Sequence, residues 1–183
     1  MLSNLERKPK LNVKSLHMII TSSAYINRHQ IHLSYCQVCD IPSEDLLSHF
    51  TRTISFISSG QENGVVLVHC YHGKSRSAAV VTAYLMNKHK LGVERALEML
   101  RRKRKCVQPN PGFMAQLRLW EAMRWRLDPS FLRYKMYRLH TVSEKMRKSK
   151  ILSRESTHSV VDSDPALERG SCRNSAVIYK CKV

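Results

Sequence analysis

In the stretch "VVLVHCYHGKSRSAAVV" (65–81), Cys70 closes an apolar run, and Arg76 follows with five residues between them. The run reads as a strand, the polar residues as a turn, and the apolar residues from about Ser77 as a helix. A strand–turn–helix of this kind makes an anion site on physical grounds. The helix start offers unpaired N–H groups and a partial positive charge. Gly73 lets the backbone of Tyr71, His72, Gly73, Lys74, Ser75 and Arg76 curl so that successive N–H groups converge. The Arg76 guanidinium is a planar, bidentate match for phosphate oxygens. The same field favours a thiolate over a thiol, which would make Cys70 a nucleophile facing a bound anion.

Two plainer readings compete. A cysteine at a strand end is often only a small core residue. The tripeptide "GKS" (73–75) also suggests the nucleotide loop G-x-x-x-x-G-K-[ST], but that loop needs glycine at 68, where this chain has Val68. At the level of the whole motif, "HCYHGKSRS" (69–77) resembles the H-C-x-x-G-x-S-R-S signature of the dual-specificity protein phosphatases, at His69, Cys70, Gly73, Ser75, Arg76 and Ser77. "AYLM" (83–86) and "PNPGFMAQL" (109–117) are similar to the same family, and the likeness runs over about residues 11–126. His72 and Lys74 depart from it, standing where small or apolar residues are common, and both read as solvated side chains at the pocket rim.

The resemblance implies an enzyme that hydrolyses phosphotyrosine and phosphoserine/phosphothreonine in proteins through a cysteinyl-phosphate. Loss of phosphate needs a proton on the departing oxygen. The family supplies an aspartate upstream, and in "QVCDIPSEDLLSHF" (37–50) Asp40 stands at that place. Glu44 and Asp45 read instead as first-turn helix residues favoured by the dipole. By the family's logic Cys70 attacks phosphorus while the loop N–H groups and Arg76 hold the oxygens. Asp40 protonates the leaving group and then deprotonates water. Ser77 hydrogen-bonds the Cys70 sulfur, His69 orients the loop from behind, and Asn110 supports it. No metal or cofactor is called for.

Elements that could position these residues are legible in part. "LHMIIT" (16–21) and "IHLSYCQV" (31–38) read as strands. Leu46, Leu47, Phe50, Ile54 and Ile57 recur at helical spacing within 42–60, with Ser43 or Glu44 as the start and Gly60 as the stop. "GVVLVHC" (64–70) has the continuous apolar character of a strand covered on both faces. Helices are expected over 77–90, 93–105 and 114–127, with "PNPGF" (109–113) as a turn. Strand–helix alternation followed by helices predicts an α/β fold with a small mixed sheet flanked by helices. The predicted organisation is a phosphatase domain over 1–127, a basic helical linker over 128–150 and a largely disordered tail over 151–183.

The chain has 183 residues and a net charge of +17, a field that attracts phosphorylated proteins, nucleic acid or acidic surfaces without choosing among them. No run approaches a membrane span and the start lacks a secretory pattern, so a cytoplasmic or nuclear protein without membrane contact is expected. The six cysteines are scattered and expected to stay reduced. Cys36 and Cys39 read as two half-buried thiols, with a pairing of Cys39 to an oxidised Cys70 as a further idea. "RRKRK" (101–105) reads as a localisation or nucleic-acid patch, a solvated helix end, or a basic rim for phosphorylated substrates. On the resemblance, an N-terminal hairpin and helix are missing, which would bare the edge of the catalytic strand. The tail, "VIYKCKV", resembles the entrance to a zinc-binding region that would follow. Two other functions stay open: a catalytically impaired phosphate-binding module, and a basic RNA- or ribosome-associated protein. Physiological substrate and oligomeric state are not readable from the sequence.

Overall fold

The computed structural model describes residues 32–155 and 176–182, so the strand expected at 16–21 lies outside the described residues. Strand β1 (His32–Cys36) leads into loop 37–46 and a short 3-10 turn (Leu47–His49). Then come α1 (Phe50–Asn63), β2 (Gly64–His69), α2 (Arg76–His89), α3 (Val93–Lys103), α4 (Pro111–Ala122), α5 (Leu132–Glu155) and β3 (Ala176–Lys182). The fold is α/β, as the alternation predicts. Among the described strands the order is β1-β3-β2, and β3 runs antiparallel to both neighbours. Cys36 lies opposite Ala176, and His69 opposite Val177.

The tail reading therefore changes. The segment 176–182, "AVIYKCK", is a strand rather than disordered chain, in keeping with its β-branched and aromatic residues. The basic helix also continues to Glu155, since 149–155 contains no Gly or Pro to stop it. Strand β2 is not covered on both faces: Val66 is 1% exposed and its neighbour Val65 is 38% exposed.

Helix boundaries shift where side chains compete for the backbone. The first helix begins at Phe50 rather than near Ser43, because the chain before it bonds elsewhere. The N–H groups of Leu46 and Leu47 donate to Gln116 Oε1 at 2.9 and 2.8 Å, and Gln116 Nε2 donates to the Glu44 carbonyl at 2.7 Å. Gly60 does not end α1, which runs on to Asn63. Helix α4 starts at Pro111, inside the expected turn, because Asn110 caps it: Phe113 N–H donates to Asn110 Oδ1 at 2.9 Å and proline fills the first helical position.

The core lies where α1, α2 and α4 meet. Phe50 and Trp120 pack edge to face at 5.6 Å, with Ile57, Phe113, Leu97 and Leu117 fully buried around them. Helix α2 is buried along nearly its whole length, and Ala78, Ala79 and Ala83 let its neighbours approach closely. It ends where Lys90 takes the left-handed conformation at φ 55°.

Gln116 joins this core to loop 37–46. Gln116→Leu keeps the volume but strands the Leu46 and Leu47 N–H groups and the Glu44 carbonyl. We expect urea denaturation to show a loss of about 2–4 kcal/mol. A loss below about 1 kcal/mol would mean that the loop finds other partners.

Candidate active site

Strand β2 delivers Cys70 to the head of α2, where the thiol is buried and its Sγ lies 3.2 Å from Ser77 Oγ. The loop turns at Gly73, whose φ of 64° is the left-handed conformation that glycine adopts without strain. Ser75 stands at the N-cap of α2, but its hydroxyl is used elsewhere: it donates to Asp40 Oδ1 at 2.5 Å and accepts from the Asn110 N–H at 3.1 Å. Arg76 is the first residue of α2 and is 3% exposed. Its Nη1 donates to the Val38 carbonyl at 3.4 Å. Its Nε faces Asp40 Oδ2 at 3.7 Å and has no hydrogen-bond acceptor among the described residues. A cation buried at the positive end of a helix is costly unless an anion faces it. Asp40 is that anion here.

Asp40 thus reaches the loop although it lies 30 positions earlier than Cys70. Besides Ser75 and Arg76, Asn110 Nδ2 donates to Asp40 Oδ1 at 3.0 Å. Asn110 therefore touches three parts at once: the loop through Ser75, the carboxylate of Asp40, and the start of α4. The structure brings Asp40, Cys70, Ser75, Arg76, Ser77 and Asn110 together as one cluster.

The rim differs from this interior. Tyr71, His72 and Lys74 are exposed, and Tyr71 is set edge-on to His72 at 4.5 Å. The Lys74 carbonyl accepts from the Gln108 N–H at 2.8 Å, and Arg104 Nη2 donates to the His72 carbonyl at 3.4 Å. Of the basic run 101–105, Arg101, Arg102, Lys103 and Lys105 are exposed, so one end of it borders the loop and the rest meets solvent. His69 is half-buried beneath the loop. Burial pushes its pKa down, and a hydrogen bond with the Cys70 backbone works the other way. His49, at the end of the 3-10 turn, is also pushed down, first by burial and then by Arg52.

The cysteines correct two expectations. Cys36 is a buried thiol whose pKa burial raises, against the opposing pull of Arg52. Cys39 is disulfide-bonded, while Cys36, Cys70 and Cys106 are free, so the expected thiol is absent and Cys39 does not pair with Cys70. Among the described residues no group of three or more His, Cys, Asp or Glu is placed to hold a metal ion.

Several residues of the site neighbourhood were missed by sequence reasoning. Gly112 packs so tightly on loop 37–46 that an added Cβ would collide with the Pro42 backbone at its carbonyl oxygen. Asp45 is not a first-turn helix residue but precedes the 3-10 turn and is 7% exposed, accepting from Tyr137 Oη at 2.8 Å and pairing with Arg138 Nη1 at 3.2 Å. Gly112 and Gln116 fall within "PNPGFMAQL", a signal that was available; nothing in the sequence pairs Tyr137 with Asp45.

A buried thiol and a buried arginine on one strand-to-helix loop, with a carboxylate brought in from a second loop, define the cysteine-dependent phosphatase class. The model of the dual specificity phosphatase catalytic domain matches residues 2–123, and the chain belongs to that family. It is 41% identical over 175 residues to dual specificity protein phosphatase MPK-4 of Drosophila melanogaster, covering 92% of this chain and 44% of the relative. It is 39% identical over 144 residues to dual specificity protein phosphatase 12 of Homo sapiens, covering 78% of this chain and 41% of the relative. The Yvh1 phosphatase domain from Chaetomium thermophilum is 37% identical with a TM-score of 0.47, over 50% of this chain and 66% of that one. The chain thus spans less than half the length of these two curated relatives.

The lowered pKa values of His69 and His49 have a consequence for stability. Each binds its proton less tightly folded than unfolded, so their contribution is complete above the ordinary histidine value and falls as pH drops through it. We expect Tm to begin declining as pH falls toward the ordinary histidine pKa of about 6.5, and to go on declining through the lower folded values. The double variant His49→Gln/His69→Gln should flatten that decline. An equally steep decline in the variant would assign it to other groups.

Proposed function

We propose that this chain is a protein phosphatase that hydrolyses phosphotyrosine and phosphoserine/phosphothreonine through a cysteinyl-phosphate on Cys70. The observation that carries the reading is the buried Arg76, held on the same loop as Cys70 and opposite the carboxylate of Asp40. Burying a guanidinium there makes sense for a site that receives a dianion. The substrates are phosphorylated proteins, and the exposed bases near the loop suit them. The protein works in the cytoplasm or nucleus.

In the first step the Cys70 thiolate attacks phosphorus in line. The S–P bond forms as the P–O bond to the side chain breaks, and Asp40 gives its proton to the departing oxygen. Loop N–H groups and Arg76 hold the three equatorial oxygens as charge moves across them. In the second step Asp40 takes a proton from water as that water attacks phosphorus. The S–P bond breaks, the electron pair returns to sulfur, and Ser77 Oγ at 3.2 Å stabilises it by hydrogen bonding. Inorganic phosphate leaves. Asn110 and Ser75 hold Asp40 against the loop, and His69 supports the strand end.

Hydrolysis of a doubly phosphorylated peptide tests the reading. Cys70→Ser should fall to background, and Asp40→Ala should lose about 10²–10⁴-fold. Unchanged hydrolysis by Cys70→Ser would overturn the mechanism. A wild type without activity that still binds the phosphopeptide would make the chain a phosphate-binding module. The exposed bases of 101–105 also favour a second reading, association with RNA or the ribosome. Its mark would be RNA binding that weakens steeply with salt.

A further inference from the structure

The loop that carries Asp40 is held at both ends, and the second hold comes from a helix outside the matched catalytic domain. At one end Asp40 is fixed by Ser75, Asn110 and Arg76. At the other end Asp45 Oδ1 accepts from Tyr137 Oη at 2.8 Å and from the Ser48 N–H at 3.1 Å, while Oδ2 pairs with Arg138 at 3.2 Å. Between the two, Lys148 Nζ donates to Ser43 Oγ at 3.1 Å. Tyr137, Arg138 and Lys148 all lie on α5, beyond the matched residues 2–123.

The middle of the loop packs on α4 at Gly112, and among the described residues it is open toward α5. A cavity of about 440 Å³ lies there, lined by Pro42, Gly112, Gln116, Leu119, Arg133 and Tyr137. Helix α5 therefore does not support the loop by close packing along its length. It holds the loop through discrete polar contacts, and the most buried of these is at Asp45. Tyr137 is itself fixed: its ring stacks on Tyr134 at 6.4 Å, and Thr141 Oγ1 donates to its carbonyl at 2.9 Å. Burial and the neighbouring Asp45 charge push the Tyr137 hydroxyl well above its ordinary pKa, so it remains a donor. Loop positions four or five residues from a proton donor matter because a misplacement of about 1 Å can cost about 10²-fold in rate.

We propose that α5 is part of the catalytic unit, and that Tyr137 is a positioning residue that sets the Asp40 loop through its hydrogen bond to Asp45. The inference rests on the reading of Asp40 as the proton donor. Removing the Tyr137 hydroxyl takes one hydrogen bond from Asp45, while Arg138, Ser48 and Gln116 still hold the chain around it. The loop shifts rather than opens, and protonation of the leaving group suffers while phosphate binding and attack by Cys70 do not.

The test uses the full chain and two substrates. The phenolate of dinitrophenyl phosphate leaves without a proton, whereas that of phenyl phosphate needs one. kcat/KM reports the first step alone, since departure of the leaving group is irreversible under initial-rate conditions. For Tyr137→Phe, kcat/KM should fall about three- to tenfold on phenyl phosphate and less than about twofold on dinitrophenyl phosphate. Thermal unfolding of the variant checks that it remains folded at the assay temperature. Asp45→Asn should show the same split. If Asp40→Ala shows the split but Tyr137→Phe and Asp45→Asn lower both substrates equally, α5 is only structural and the inference is overturned. If Asp40→Ala shows no split, Asp40 is not the proton donor, and the inference falls with that reading.

Discussion

The structure depends on one costly placement: a guanidinium at the first position of α2, 3% exposed and at the end of the helix where the backbone already carries positive charge. Neither desolvation nor the dipole favours it, so other groups must compensate. The Val38 carbonyl and the Asp40 carboxylate do so from the segment that follows β1. The compensation is incomplete, since Nε has a carboxylate oxygen at 3.7 Å and, among the described residues, no hydrogen bond. On the proposed mechanism, the partner that Arg76 serves is an anion with more oxygens than one aspartate presents.

That requirement propagates outward. To face Arg76, Asp40 must be held on a loop without regular structure, and such a loop needs its polar groups satisfied. Gln116 meets three of them and Gly112 lets α4 approach the Pro42 backbone. Asn110 closes the arrangement by joining α4, Ser75 and Asp40. On the proposed mechanism, these contacts make the distance between sulfur, guanidinium and carboxylate a property of the helices rather than of the loops.

The loop 69–77 was legible because its chemistry is local: strand end, glycine turn and helix start lie within nine residues, and residue type alone implies the anion site. Asp40 and Asn110 were legible only through the family resemblance, since nothing in their immediate sequence announces that a carboxylate 30 residues away will meet the loop. The start of α1 was misplaced because hydrophobic spacing from Leu46 onward reads as helix, while long-range bonds to Gln116 take the Leu46 and Leu47 amides away from it. The tail was misread for a related reason. Its low periodicity up to about 175 concealed a short apolar segment that a sheet can recruit, and strand pairing is a non-local property. The oxidised state of Cys39 likewise depends on which segments meet, which spacing does not reveal.

The catalytic-domain match stops at 123, yet a buried carboxylate on the loop that carries Asp40 has its tyrosine and arginine partners at 137 and 138. Among the described residues, a buried Asp45 without those partners would keep only the Ser48 N–H, and leaving a carboxylate so poorly satisfied is unfavourable enough to displace the segment that bears it. The exposed stripe of α5, with Leu132, Met136, Leu139 and Met146, lies apart from the groups that hold the loop. Helix α5 therefore divides its surface: Tyr137, Arg138 and Lys148 engage residues 43–45, while Leu132, Met136, Leu139 and Met146 face solvent. A boundary drawn at the end of α4 would cut through the support of the Asp40 loop, and the physical domain ends no earlier than the second turn of α5.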